Sequence, residues 1–137
     1  MDWKECCDER IAKEVKPDLF MVKSLLKSSE NKLKSEDMLE MNNTTAVSKL
    51  SLAYDSLREL LEALALKRCY KIYNHECYSA FLKEIVKERK LGDEFDNIRK
   101  IRNAANYYGK DITIEKTTET IKKIKVLRNS LLEIMNK

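Results

Sequence analysis

Apolar residues recur along this chain at spacings of three and four, the period of an amphipathic helix, and the breaks between the runs mark five or six helical segments. A mostly polar segment from Trp3 to about Val15 ends at Lys16-Pro17, and a proline at an early helical position suits a new start there. From Asp18, Leu19, Val22, Leu25, Leu26, Ser29 and Leu33 step along one face. Lys34 to Asn43 is a polar connector whose Met38, Leu39 and Met41 are expected against the core. The longest periodic run is Ala46 to Leu66, with Asn43 or Thr44 as its N-cap. Its apolar face widens at Ala63-Leu64-Ala65-Leu66, as expected of a central helix covered on several sides. Cys69 to Glu76 is a tyrosine-rich connector, and Cys77 to Lys90 returns to helix with Tyr78, Phe81, Leu82, Ile85 and Val86 inward. Leu91-Gly92-Asp93 is read as a stop, with Asp93 capping a further helix that ends at Gly109. Asp111 to Ile114 is a loop or extended, and Glu115 to Met135 is a last helix with Ile121, Ile124, Leu127, Leu131 and Ile134 inward. The expected fold class is all-α, an up-and-down bundle of four or five helices in a single domain over residues 1–137.

Composition agrees with that pattern. Only two glycines and one proline are available to break the chain. An apolar content of 43% argues against disorder, and 36% charged residues fit solvated helix faces. The net charge of +4 is mildly basic, which permits contact with nucleic acid without demonstrating it. No apolar run approaches the roughly 18 residues of a membrane span. The first residues lack a leader's apolar core, so the expected location is cytoplasmic, with no membrane partner.

One helix departs from the Glu/Lys mixture of an ordinary surface. In Ile98-Arg99-Lys100-Ile101-Arg102-Asn103-Ala104-Ala105-Asn106-Tyr107-Tyr108-Gly109, five polar residues share a side. At about 100° per residue, Arg99, Arg102, Asn103, Asn106 and Tyr107 fall within an arc of roughly 140°, with Ile98, Ile101, Ala105 and Tyr108 opposite. No acid lies between Asn97 and Gly109. Arginine forks, amides and a phenol on one strip suit phosphates, bases or a polar subunit interface. The blander reading is a solvated face with salt bridges to Asp93, Glu94 or Asp96 one turn away.

The remaining chemistry-bearing residues have ordinary readings. His75 is the only histidine and sits where a connector enters a helix, suited to a local cap or one packed hydrogen bond. A sharper role brings it by folding to the arginine strip. Cys69, His75 and Cys77 lack a recognisable zinc spacing, and neither metal nor cofactor is expected. Cys6, Cys7, Cys69 and Cys77 are read as buried or idle thiols. The tyrosines are expected at helix ends. Lys116, Lys122, Lys123, Lys125 and Arg128 form a solvated face. Phosphate loops, nucleophile elbows and zinc-helix motifs do not occur.

Arg102-Asn103 followed by the aromatic Tyr107, on the penultimate long helix of a small bundle, resembles the HEPN superfamily of nucleotide-binding domains. The stretch Tyr54-Asp55-Ser56-Leu57-Arg58-Glu59-Leu60-Leu61-Glu62-Ala63-Leu64-Ala65-Leu66 is similar to that family's long central helix. The likeness covers about residues 15 to 135. It implies a homodimer that binds nucleotide or RNA, expected here through the strip of Arg99, Arg102, Asn103, Asn106 and Tyr107. It also implies metal-independent endoribonuclease chemistry in some members, and toxin-antitoxin pairing with small nucleotidyltransferases in others. Arg102 matches the family's arginine and Asn103 its polar neighbour, whereas Tyr107 stands at the histidine position. A phenol with a pKa of about 10 is a poor base near neutral pH. Catalysis would therefore fall to Arg102 with Tyr107 or His75, and binding is expected to survive the replacement better than catalysis.

Overall fold

The computed structural model describes residues 1–107 and 112–137, the side chain of Tyr107 excepted. Its elements in order are α1 (Trp3–Asp8), β1 (Ala12–Glu14), α2 (Leu19–Met38), α3 (Ala46–Lys67), β2 (Tyr70–Ile72), α4 (Glu76–Ala80) with a π-helical turn (Phe81–Ile85), α5 (Arg89–Tyr107) and α6 (Ile114–Met135). The chain is predominantly helical, as its periodicity predicts. Helix α3 is central and packs against α2, α6, α5 and β2. Its Leu50, Ala53, Tyr54, Leu57, Leu60, Leu61 and Ala63 are all fully buried.

The sequence reading misses a small ribbon. Strands β1 and β2 pair antiparallel, Ala12 opposite Ile72, Lys13 opposite Lys71 and Glu14 opposite Tyr70. The segment expected as one helix to Val15 stops at Asp8, and Arg10 turns the chain with φ 60°. Ala-Lys-Glu has good helix propensity, but pairing with Tyr70–Ile72 and burial of Ala12 and Ile72 override it.

Other boundaries move for stated reasons. Helix α2 runs through the expected connector as far as Met38, because Glu36 faces inward to meet Lys49. Met38 and Leu39 are exposed, against expectation, while Met41 packs on the core. Pro17 precedes the helix, and the Asp18 carboxylate caps it by accepting from the Met21 N–H at 3.0 Å. At α3 the expected cap shifts. The helix starts at Ala46, and Asn42 Oδ1 accepts from the Thr44 and Thr45 N–H groups before it.

Gly92 does not stop a helix; it lies inside α5. A Cβ there would come 2.6 Å from Lys83 Cγ and 2.9 Å from the Ser79 carbonyl oxygen. The Ser79 hydroxyl donates to the Gly92 carbonyl at 3.0 Å, so glycine serves close approach of α5 to α4. The helix that begins at Glu76 instead ends in the π turn, where Val86 N–H donates to the Phe81 carbonyl at 3.0 Å and Lys87 takes φ 68°. The expected stop at Gly109 lies outside the described residues.

The cysteines need a correction. Cys6 and Cys77, read as idle thiols, form a disulfide that ties α1 to α4, while Cys7 and Cys69 are free. Folding brings together residues 71 apart, a pairing that spacing alone does not reveal. Trp3 is held beside the bridge by its N–H bond to Glu84 and by edge contact with Tyr70.

The last correction concerns α6. Arg128, expected on a solvated face, is 4% exposed. It donates to Ser29 Oγ at 3.2 and 3.3 Å and pairs with Glu30 at 3.2 Å. Ser29 and Ser56 in turn bond each other's backbone carbonyls across α2 and α3. Lys49 pairs with Glu36, Lys125 with Glu36 and Asp37, and Lys32 with Glu59. The α2–α3–α6 side is thus cross-linked by matched charges. Among the described residues no helix is long and apolar enough to cross a membrane.

Candidate functional site: a cationic seam between α3 and α5

Helix α5 begins with an apolar seam and changes character along its length. Phe95 and Ile98 are buried; Arg102 and Asn106 continue the same line at helical spacing. The polar strip therefore faces α3 and does not point away from the core. Asn106 Nδ2 donates to Ser51 Oγ at 3.0 Å, and the Arg102 guanidinium lies over the Tyr54 ring at 4.8 Å. Arg102 Nη1 also reaches Asn103 Oδ1 at 3.4 Å. Arg99 is paired, with Nη2 and Nε on Asp96 Oδ1 at 2.8 and 3.2 Å, so the ordinary salt-bridge reading holds for that residue. Burial works against ionised Asp96, but bonds from Arg99 and Lys100 hold its carboxyl below the usual range.

The structure brings His75 to this seam. Its side chain makes no cap bond to α4. Instead Nδ1 lies 2.9 Å from the Tyr54 hydroxyl, on the same ring that carries Arg102. Tyr54 is fully buried, and burial lifts its pKa to about 12 against the opposing charges of Arg102, Arg99 and Arg58. Half-buried His75 is pushed the other way. Burial lowers its pKa first, and the positive charges of Arg58 and Arg102 add to that.

The direction of the Tyr54–His75 bond follows from satisfaction of buried polar groups. It is the one hydrogen bond of Tyr54 among the described residues, and an orphaned buried O–H costs about 1–3 kcal/mol. The phenol therefore donates to Nδ1, and neutral His75 carries its proton on Nε2. In this state His75 offers a hydrogen-bond donor.

Sequence reasoning missed Tyr54 and Arg58 as members of the site. Arg58 lies one turn along α3 from Tyr54, half-buried, with no ion pair or hydrogen bond among the described residues. Its charge bears on Tyr54, His75 and Tyr78 alike. The available signal was the Tyr54/Arg58 spacing of four on a helix whose other strongly apolar positions are aliphatic. The Tyr107 side chain lies outside the described residues.

A separate groove of about 390 Å³ runs between α5 and α6, floored by Ile98, Ile101 and Val126 and edged by Glu94, Glu119 and Lys122. It includes none of Arg99, Arg102, Asn103, Asn106 or His75. No group of three or more His, Cys, Asp or Glu side chains among the described residues is placed to hold a metal ion. Comparison with protein-family models, curated proteins and solved structures returns no match to this chain.

Proposed function

We propose that the α3–α5 seam binds the phosphates of a nucleotide or RNA, within a HEPN-like helical bundle. The observation that carries the reading is the trio of Arg102 over the Tyr54 ring and His75 hydrogen-bonded to its hydroxyl, with Arg58 and Arg99 close enough to act on both rings. Three guanidinium groups, those of Arg58, Arg99 and Arg102, gather around the two rings. A phosphate suits such a cluster, bringing compact negative charge and acceptors for forked donors. His75 supplies a further N–H, and Asn103 and Asn106 supply amides. The HEPN likeness adds the order of parts, an apolar central helix with the Arg-Asn helix packed against it.

A second reading, metal-independent RNA cleavage, is favoured by the arrival of His75 beside Arg102. In it Arg102 steadies the phosphate. To act as base, His75 would donate from Nδ1 to Tyr54 and free Nε2, reversing the bond that buried Tyr54 prefers. That reversal weighs the balance toward binding.

The test is a mobility assay on structured RNA without added metal, comparing wild type, Arg102→Ala and His75→Asn. Retarded RNA that Arg102→Ala releases supports binding. Cleavage lost in both variants supports the nuclease. RNA that wild type neither retards nor cuts, with an altered oligomeric state in Arg102→Ala, assigns the seam to a protein interface, a small nucleotidyltransferase among its candidate partners.

A further inference from the structure

The β1–β2 ribbon carries an arrangement that folding alone does not require. Ala12 and Ile72 face the core at 2% and 4% exposure. On the outer face Lys13 stands directly opposite Lys71, a like-charge cross-strand pair, which is a destabilising choice. Both ammonium groups lie near one ring: Lys13 Nζ is 5.6 Å and Lys71 Nζ 5.9 Å from the centroid of Tyr73. That ring is 57% exposed. One lysine over a tyrosine is an ordinary cation–π contact; the second adds repulsion. Glu62 answers only Lys71, at 3.4 Å.

The platform is held firmly. The Tyr73 N–H donates to the Ile11 carbonyl at 2.8 Å, and the Val15 N–H to that of Cys69 at 2.9 Å. Beneath the ribbon, Tyr70 packs edge to face with Trp3 and Phe81, and Trp3 meets Phe81 at a tilt. It also adjoins the seam, since Tyr73 and His75 are two residues apart and a chain spans at most about 3.6 Å per residue. An exposed aromatic flanked by cations is what single-stranded nucleic acid uses: a base stacks on the ring and its phosphates meet the cations.

We propose that Tyr73, Lys13 and Lys71 form a second subsite, where a base of a single strand stacks while the neighbouring phosphates occupy the α3–α5 seam. The proposal rests on the phosphate-binding reading of that seam and extends it from a mononucleotide to a strand.

The test measures fluorescence anisotropy of labelled oligouridylate and oligodeoxythymidylate, with UMP as a competing mononucleotide. Tyr73→Ala is expected to weaken strand binding about tenfold, the scale of one lost base stack, and to leave UMP competition unchanged. Tyr73→Phe should restore the wild-type value, because the ring and not the hydroxyl does the stacking. Lys13→Ala should weaken strand binding less and reduce its salt dependence. Sensitivity of either strand, RNA or DNA, supports the subsite. If the lysines only guard an open ribbon edge, Tyr73→Ala and Lys13→Ala bind both strands like wild type while Arg102→Ala does not. The subsite then falls and the seam stands. A wild type that binds neither strand nor UMP overturns both.

Discussion

Both long flanks of α3 bury polar groups, but they do so with opposite arithmetic. Toward α2 and α6, Lys32, Lys49, Lys125 and Arg128 are matched by Glu59, Glu36, Asp37 and Glu30. Toward α5, Arg58, Arg99 and Arg102 surround two aromatic rings, with Asp96 paired to Arg99 and Arg58 in no ion pair among the described residues. A buried group whose partner is already present serves architecture, because removing either member strands the other. A cation such as Arg58, half-buried beside other arginines and in no ion pair among the described residues, leaves capacity for an anion from outside. That contrast, more than the presence of arginine as such, separates structural from functional charge in this chain.

One of the two largest expected effects lies on the matched side. Lys49→Met should leave the buried Glu36 carboxylate with Lys125 alone and take the donor from the Glu36 and Leu39 carbonyls. The expected cost in chemical denaturation is at the lower end of the about 3–5 kcal/mol that breaking a buried pair costs. The same kind of change on the cationic side should do the reverse. Arg58→Met is expected to lie within about 0.5 kcal/mol of wild type or to gain stability, since it relieves repulsion with Arg102 and Arg99. A cost for Arg58→Met as large as for Lys49→Met would erase the contrast.

Of similar size is the effect of the bridge that fixes the ribbon and the His75 connector to the body. Closing a loop of this length is worth about 4 kcal/mol by chain entropy, at the upper end of the usual 2–4. Reductant should therefore lower the denaturation midpoint of wild type and leave Cys6→Ser/Cys77→Ser unmoved. Smaller is the effect of Gly92→Ala. Helix propensity gained is outweighed by the clash with Ser79 and Lys83, a net loss of about 1–2 kcal/mol by the same denaturation curves.

The pH dependence sharpens the cationic side. In the unfolded chain His75 takes up a proton near pH 6.5, whereas in the fold burial and the Arg58 and Arg102 charges hold its pKa lower. The unfolded state then binds more protons, so stability should be full above about 6.5 and decline as pH falls below it. His75→Asn, which keeps an acceptor for Tyr54, should flatten that part of a melting-temperature profile. A profile unchanged by the substitution would place the titration elsewhere.

Much of the fold was legible because helix periodicity survives in Leu50, Leu57, Leu60, Leu64, Ile124, Leu127 and Leu131, all buried as their spacing requires. What the pattern hid was polar residues turned inward. Glu36 and Arg128 look like surface residues until their partners on other helices are known. The ribbon was equally hidden, because Ala12-Lys13-Glu14 becomes a strand only through a partner nearly sixty residues away. Of the site, Arg102 and Asn106 were legible from the missing acids around them. Their inward direction was not, because Ile98, Ile101 and Ala105 marked the opposite side of the helix as the one to be covered. The meeting of His75 with Tyr54 depends on chain closure that spacing along the sequence does not encode.

The most direct measurement is the salt dependence of single-stranded RNA binding by wild type and Arg58→Ala. On a logarithmic plot each phosphate contact contributes a slope of about 0.7 for a single strand. A seam that grips phosphate predicts salt-sensitive binding in wild type and a slope smaller by about 0.7 in Arg58→Ala. Binding that ignores salt, or an identical slope in both proteins, would contradict the claim that this side of α3 is cationic in order to hold an anion.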